Sequence, residues 1–383
     1  MSNPTPMSPV LLSRYLGQQY PPTDQQAAVI GAEPGPLLVV AGAGAGKTET
    51  MAARVVWLVA NGFARPDEVL GLTFTRKAAQ EMGKRIRDRL GSLAANTDLV
   101  HRLDPSGELA DNLQVIAPSV STYDSYAGEL IREYGLLVPV EPDARLITDA
   151  ELHAIATDVV VNYSGGLITE MGSNPSLSTV VEDLLALTTA MGNELASPEW
   201  VREHAYDFLA ETESYPMAPR ARVEFTKVLT NWRSKQEMRV NMLPLVEELA
   251  AELRRRGVVT FNEQMSVAAQ LARDHTTVGA SQRSRYRVVM LDEYQDTSHA
   301  QRVLLRSLFG EGADPSLTVT AVGDPMQAIY GWRGATAANL AAFVEDFPSP
   351  EGPAPKKQLT TSWRNPPEVL HLANGVSDAV LGT

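Results

Sequence analysis

Leu37-Leu38-Val39-Val40-Ala41-Gly42-Ala43-Gly44-Ala45-Gly46-Lys47-Thr48 is the stretch from which the rest of the chain is read. Its leading apolar run has the length and composition of a strand buried on both faces. The glycines allow a turn tight enough for backbone N–H groups to face an anion, and Lys47-Thr48 opens a helix whose N-terminus favours negative charge. A strand, a glycine-rich turn and a helix start, in that order, form a cradle for the phosphates of a nucleoside triphosphate. Ala43, Gly44, Ala45 and Gly46 supply its backbone, and Glu49 follows in the first helical turn. Lys47 is expected along the β- and γ-phosphates of the nucleotide, and the Thr48 hydroxyl on Mg²⁺. The first loop position is Ala41 where the general pattern has glycine, so the loop alone also fits an ordinary glycine-rich turn with an incidental lysine.

A second site narrows the choice. Val288-Val289-Met290-Leu291 is another buried-strand run, and it ends in Asp292-Glu293. Carboxylates at the end of a strand beside a phosphate loop suit metal holding (Asp292) and water activation (Glu293).

The 383 residues suggest two or three domains with ample core. With 44% hydrophobic and 21% charged residues the chain reads as globular. It lacks an apolar stretch of eighteen residues, so no membrane partner is expected. Met1-Ser2-Asn3-Pro4-Thr5-Pro6 does not resemble a secretion signal. The absence of cysteine excludes disulfides, thiolate zinc sites and iron–sulfur clusters within the sequence, and is compatible with the cytoplasm. A net charge of −13 argues mildly against a general nucleic-acid coat. Locally, however, Arg76, Lys77, Lys84, Arg85, Arg87 and Arg89 crowd one segment against only Glu81 and Asp88. That run is either a solvated helix face or a phosphate-contacting patch.

Along the chain, residues 1–21 read as an N-terminal segment with a short helix over 8–19 and a Pro21-Pro22 break, and 23–31 as a second helix. Further helices are expected at 49–61, 77–90 and 126–134, and strands at 69–74 and 115–120. This alternation predicts an α/β fold with a parallel sheet covered on both faces. From 136 to 256 the pattern is helical, for example at 149–161, 180–190 and 243–256, with loops at 172–175 and 214–219. It reads as a helical insertion into an α/β domain made of 22–135 and 257–346, where strand character returns at 287–291 and 316–322. A proline-rich linker opens a last region, 347–383, with one strand and one helix, and there is no internal repeat.

In order, these motifs resemble a superfamily 1 helicase of the UvrD/Rep type. Thr23-Asp24-Gln25-Gln26 is similar to a Q-motif, and Ala-x-x-Gly-x-Gly-Lys-Thr is that family's form of the phosphate loop. Thr73-Phe74-Thr75-Arg76-Lys77-Ala78-Ala79-Gln80-Glu81-Met82 resembles motif Ia, and Ser121-Thr122-Tyr123-Asp124-Ser125 the next DNA-contacting motif. Leu291-Asp292-Glu293-Tyr294-Gln295-Asp296-Thr297 resembles motif II, and Gly323-Asp324-Pro325-Met326-Gln327-Ala328-Ile329-Tyr330-Gly331-Trp332-Arg333-Gly334-Ala335 motif III. Leu359-Thr360-Thr361-Ser362-Trp363-Arg364-Asn365 resembles motif IV. Within the family the chain resembles the AdnB-like motor of a helicase–nuclease, through residues 47–54 and 120–123.

The resemblance implies a RecA-like domain 1A with an inserted helical domain 1B and the start of a second RecA-like domain 2A. It implies Mg²⁺ and ATP as cofactors, 3′-to-5′ translocation on single-stranded DNA and single–double-strand junctions, a role in DNA repair or break processing on the nucleoid, and a second helicase–nuclease subunit as partner. Gln26 would read adenine, and Gln327 and Arg364 would contact the γ-phosphate and report nucleotide state. DNA bases would stack on Trp332, and on Phe74 and Tyr330 unless those two rings belong to the core. Thr75, Arg76, Thr122 and Ser125 would donate to phosphates.

The sequence departs from the family pattern in places. Glu49 stands where arginine often stacks on adenine, leaving Trp363 to hold the base, and Asp124 replaces a common histidine. No motif V or VI follows within the sequence, so an arginine stabilising the transition state is not supplied, and slow hydrolysis without unwinding is expected. Residues 356–361 are expected as an orphan strand of an absent sheet. A rival reading is a non-catalytic module that binds single-stranded DNA or a partner and uses nucleotide as a switch. A third, a metabolic phosphate-loop kinase, predicts a small-molecule acceptor and no response to DNA.

Overall fold

The apolar runs become adjacent strands because each is buried on both faces and can satisfy its backbone only from its neighbours. A computed structural model describes residues 6–115, 117–138, 140–141, 143–165, 175–215, 225–310, 314, 317–331, 334–335 and 338–381. The chain opens with α1 (Pro9–Tyr15), α2 (Asp24–Ile30), β1 (Leu37–Ala41) and α3 (Lys47–Ala60). It continues through β2 (Val69–Thr73), α4 (Arg76–Ala95), α5 (Thr97–Leu103), α6 (Glu108–Val115), β3 (Ser119–Thr122) and α7 (Tyr123–Tyr134). The middle carries β4 (Arg145–Leu146), α8 (Asp149–Asn162), α9 (Leu177–Glu194), α10 (Pro198–Glu213), α11 (Lys227–Arg255) and β5 (Val258–Val259). Then come α12 (Phe261–Asp274), α13 (Thr276–Arg285), β6 (Val288–Leu291), α14 (His299–Phe309) and β7 (Thr318–Gly323). Last are α15 (Ala338–Asp346), β8 (Lys356–Leu359) and α16 (Pro367–Leu381). No described helix is long and apolar enough to cross a membrane.

Six parallel strands form one sheet in the order β3-β2-β6-β7-β1-β8. This is the α/β parallel sheet expected, and it fits a RecA-like fold. Leu37, Val39, Met51, Val55, Leu58, Val69 and Met290 share one core cluster. Within it Arg54, fully buried on α3, is held by its acceptors. Its guanidinium donates to the carbonyls of Val29, Ile30, Ala32 and Glu33 and to Thr320 Oγ1. It thereby caps the end of α2 and ties α3 to β7, and burial pulls its pKa down to about 10.

Contacts group the chain into two compact units, residues up to Tyr126 with those from Ala272, and Ala127–Leu271. The second unit extends past both ends of 136–256, taking in most of α7 and α12. Apart from the two-residue strands β4 and β5 it is helical, around Ile155, Val159, Leu184, Leu243 and Leu249.

The structure corrects three local expectations. The expected strand at 115–120 is the end of α6 followed by β3, which starts only after Pro118; proline cannot donate to a ladder, and β3 is an edge strand. Residues 356–359 are not an orphan strand: β8 pairs with β1, Leu38 against Lys356 and Ala41 against Leu359. Lys356 and Gln358 face solvent while Leu359 enters the core, the pattern of a protected edge. The helix expected to start at 243 instead runs through Pro244 as part of α11. Helix α10 falls within the stretch read as helical, whereas α5, α6 and α12 to α15 lie where no helix was named. Of the expected loops, 172–174 and 216–219 lie outside the described residues.

Candidate nucleotide and DNA site

The phosphate loop runs from the end of β1 into α3. Gly44 and Gly46 have φ of 78° and 81°, a left-handed backbone that side chains resist. Gly46 is the N-cap of α3, and no side chain caps the helix. The first-turn N–H groups of a helix lack intrahelical partners, so this end is suited to an anion. The loop is also hemmed in. A Cβ on Gly44 would stand 2.7 Å from Arg364 Cβ and 2.8 Å from Ser362 Oγ, and one on Gly46 3.0 Å from Gln26 Nε2. Ser362 Oγ donates to the Ala43 carbonyl at 3.0 Å, and the Trp363 N–H donates to the Gly44 carbonyl at 2.9 Å. The exposed Arg364 therefore has its backbone beside the loop.

Strands β1 and β6 are separated by β7, yet their C-terminal ends bring Lys47 Nζ to 3.0 Å from Glu293 Oε2. Asp292 is buried, and desolvation and then the Glu293 charge push its pKa up to about 7, against the opposing pull of Lys47. A buried carboxylate beside a second carboxylate gains from a cation, so Asp292 fits a Mg²⁺ ligand. Thr48, partly exposed in the first turn of α3, fits as the other. Glu293 itself has φ 51° and ψ 41°. For a residue other than glycine such a backbone costs on the order of 1–3 kcal/mol, and such strain clusters at functional sites.

Gln295 was missed as a site residue. Its side chain is buried and donates to Glu293 Oε2 at 3.0 Å and to Asp296 Oδ2 at 3.1 Å. Its carbonyl accepts from the Asp324 N–H at 3.0 Å. Asp324 in turn accepts from Gln327 Nε2 at 2.6 Å. One amide side chain thus joins the carboxylate end of β6 to the Gln327 turn after β7. Only its place in the quoted motif could have flagged it.

Beside the loop lies a cavity of about 850 Å³, whose lining includes Gln26, Gly46, Glu49, Thr50, Arg89 and Trp363. The Gln26 carbonyl is committed to the Thr23 N–H at 3.1 Å in a capping box that starts α2. Its amide nitrogen is the part turned toward the loop. Glu49 pairs with Arg85 at 3.1 Å and with Arg89. Arg89, read from the sequence only as one of a basic run, enters this cavity beside Trp363, and burial holds its guanidinium below its usual pKa. Gln25 was also missed: it bonds Thr360 through both ends of its amide.

Phe74 follows β2 and is partly buried. Its ring lies 5.0 Å from that of Tyr123, tilted by 57°, and 6.1 Å from that of Tyr330, with 5° between planes. Thr75 is the N-cap of α4, accepting from the Ala78 N–H at 3.1 Å, and Arg76 is exposed beside it. Thr122 is buried and donates to Ser125 Oγ at 2.8 Å. The Thr122 proton is thus committed to Ser125, and the exposed Ser125 keeps its own for an outside acceptor. Trp332 lies outside the described residues.

A parallel sheet with a glycine-rich loop at one strand end and an Asp-Glu pair at another fits a nucleotide-binding α/β domain. The chain belongs to the family described as UvrD/REP helicase N-terminal domain, which matches residues 22–348. It is 27% identical over 361 residues to ATP-dependent DNA helicase UvrD1 of Mycobacterium leprae, covering 92% of this chain and 39% of that protein. It is 25% identical over 352 residues to ATP-dependent DNA helicase PcrA of Staphylococcus epidermidis, with the same coverage of 92% and 39%. To PcrA of Staphylococcus aureus it is 26% identical over 354 residues, again covering 92% and 39%. The chain thus spans about two fifths of the length of these relatives.

Proposed function

We propose that this chain is the N-terminal motor portion of an ATP-dependent 3′-to-5′ DNA helicase or translocase, AdnB-like, acting in DNA repair or double-strand-break processing. Family membership supports the class. The 3.0 Å approach of Lys47 to Glu293 across the ends of β1 and β6 carries the site assignment. We read residues 22–135 with 257–346 as domain 1A, 136–256 as domain 1B, and 347–383 as the passage toward domain 2A. Its partners are single-stranded DNA, strand junctions and a second helicase–nuclease subunit, and its place is the cytoplasm, on the nucleoid.

Thr48 and Asp292 would hold Mg²⁺, which would supply charge neutralisation at the triphosphate. Lys47 leaves Glu293 to lie along those phosphates, and the freed Glu293 carboxylate orients water and takes its proton at Oε2. Gln327, positioned by Asp324, and Arg364, beside Gly44, contact the γ-phosphate and lose that contact after hydrolysis. The base packs in the cavity between Trp363, Gln26 and the Glu49–Arg89 pair. Phe74, Tyr330 and Trp332 stack DNA bases, while Thr75, Arg76 and Ser125 meet phosphates and Thr122 positions Ser125.

The test is equilibrium binding of a slowly hydrolysed ATP analogue with Mg²⁺, and of an oligo(dT) strand, to this chain. Both are expected to bind, with Lys47→Ala losing at least about tenfold in nucleotide affinity, the scale of one charge-assisted phosphate contact. Failure to bind the analogue, or equal affinity in Lys47→Ala, refutes the reading.

A further inference from the structure

The left-handed Glu293 raises the question of what holds it there. The peptide unit between Asp292 and Glu293 is fixed at both ends. Its N–H donates to Asp292 Oδ1 at 3.1 Å, and its carbonyl accepts from the Tyr123 hydroxyl at 3.0 Å. If this peptide turned over, Glu293 could relax out of the left-handed region, and its carboxylate would leave Lys47 and Gln295. The first of the two bonds is local and travels with the peptide. The second comes from another element: Tyr123 is the buried first residue of α7. Its hydroxyl is the only long-range restraint on this carbonyl among the described residues.

The same tyrosine touches the aromatic row. Its ring packs on Phe74, whose other neighbour is the near-parallel ring of Tyr330. Phe74 and Asp292 also follow paired strands. Leu72 faces Leu291, and the Asp292 N–H donates to the Leu72 carbonyl at 2.9 Å. A flat group stacked on Phe74, or on Tyr330 beside it, would bear on the ring against which Tyr123 packs, and so on the hydroxyl bonded to the strained peptide.

We propose that Tyr123 is a positioning residue for Glu293 and couples a base on the Phe74–Tyr330 rings to the water-activating carboxylate. This rests on the roles given above to Glu293 and to the two rings. The bistable element is the 292–293 peptide, and the coupling is reciprocal by linkage.

The experiment uses this chain and titrates oligo(dT) and a slowly hydrolysed Mg²⁺–ATP analogue, each alone and in the presence of the other. The readout is the enhancement factor, a ratio insensitive to a uniform loss of affinity. Tyr123→Phe keeps the ring and removes only the hydroxyl. It is expected to reduce the enhancement by about 2- to 10-fold, the effect of one buried neutral hydrogen bond. The double variant Phe74→Leu/Tyr123→Phe is expected to lose no more enhancement than the worse single variant, because both act in one chain. Full enhancement in Tyr123→Phe, or additive losses in the double variant, overturns the proposal. Wild-type chain that binds both ligands with no mutual enhancement overturns it while leaving the proposed function standing. Wild-type chain that binds no nucleotide overturns both.

Discussion

Glu293→Gln should tighten nucleotide binding while abolishing hydrolysis. Lys47 reaches the phosphates only by leaving Glu293, so the ion pair competes with the ligand. At 3.0 Å the gross attraction is about 5 kcal/mol for an effective dielectric of ~20. The Lys47 side chain is 11% exposed but that of Glu293 is 35% exposed, so water screens much of the attraction. A net value near 1 kcal/mol is reasonable for such a pair. Removing the competing charge, and its repulsion of the incoming phosphate, should lower the Kd for a slowly hydrolysed Mg²⁺–ATP analogue by roughly 3- to 10-fold. Calorimetric titration at pH 8 measures this, and the gain should shrink as salt rises. Lys47→Ala/Glu293→Gln should gain less over Lys47→Ala than Glu293→Gln gains over wild type, because only the relief of phosphate repulsion then remains. Unchanged or weaker binding by Glu293→Gln would show that the pair does not gate the site, and undiminished hydrolysis would strip Glu293 of its role.

Two further predictions concern stability. The folded pKa of Asp292, about 7, stands above its ordinary 3.8, so the folded chain holds an extra proton between those values. Stability from this group is therefore greatest below about pH 4 and is lost as pH rises to 7, at up to about 1.4 kcal/mol per pH unit. Denaturant unfolding across pH 4–8 should show the slope, and Asp292→Asn should flatten it; identical profiles would contradict the burial argument. Arg54→Met leaves buried carbonyls of the α2 terminus without donors, a loss of about 3–5 kcal/mol. Its unfolding midpoint should fall by roughly 6–20 °C, and a change under about 2 °C would mean those carbonyls find other partners.

The parts of the site that were legible in the sequence are those whose chemistry is local. Glycines before Lys47-Thr48, and carboxylates ending an apolar run at Leu291, announce themselves through residue type and spacing. Asp292 and Glu293 look alike as letters, and only burial and backbone separate them. Nothing in the string gives Glu293 its left-handed φ, and the Tyr123 hydroxyl bonded to the adjoining Asp292 carbonyl comes from 169 positions earlier in the chain. Gln25 is silent in the sequence for the same reason, since its partner Thr360 lies on another part of the chain, and so is the bond that Gln295 accepts from Asp324. Strand β8 is expected, but its place is not, because Lys356-Lys357-Gln358-Leu359 carries one core residue and pairing with β1 decides where it lies. Helix α11 tolerates Pro244 because Met242, Leu243, Leu245 and Val246 are buried on either side of it. That packing offsets a penalty of roughly 3 kcal/mol which a local reading takes as a helix boundary.

The bonds from Ser362 and Trp363 to the phosphate loop, with Thr360 fastened to Gln25, have a mechanical consequence. Helix α16 begins at Pro367, three positions after Arg364, so it is leashed to the same few atoms that a ligand must displace or accept. A rotation of that knot by a few degrees would be carried into α16, and over its 15 residues would displace the far tip more than the base. The nucleotide pocket is built with its own lever already attached.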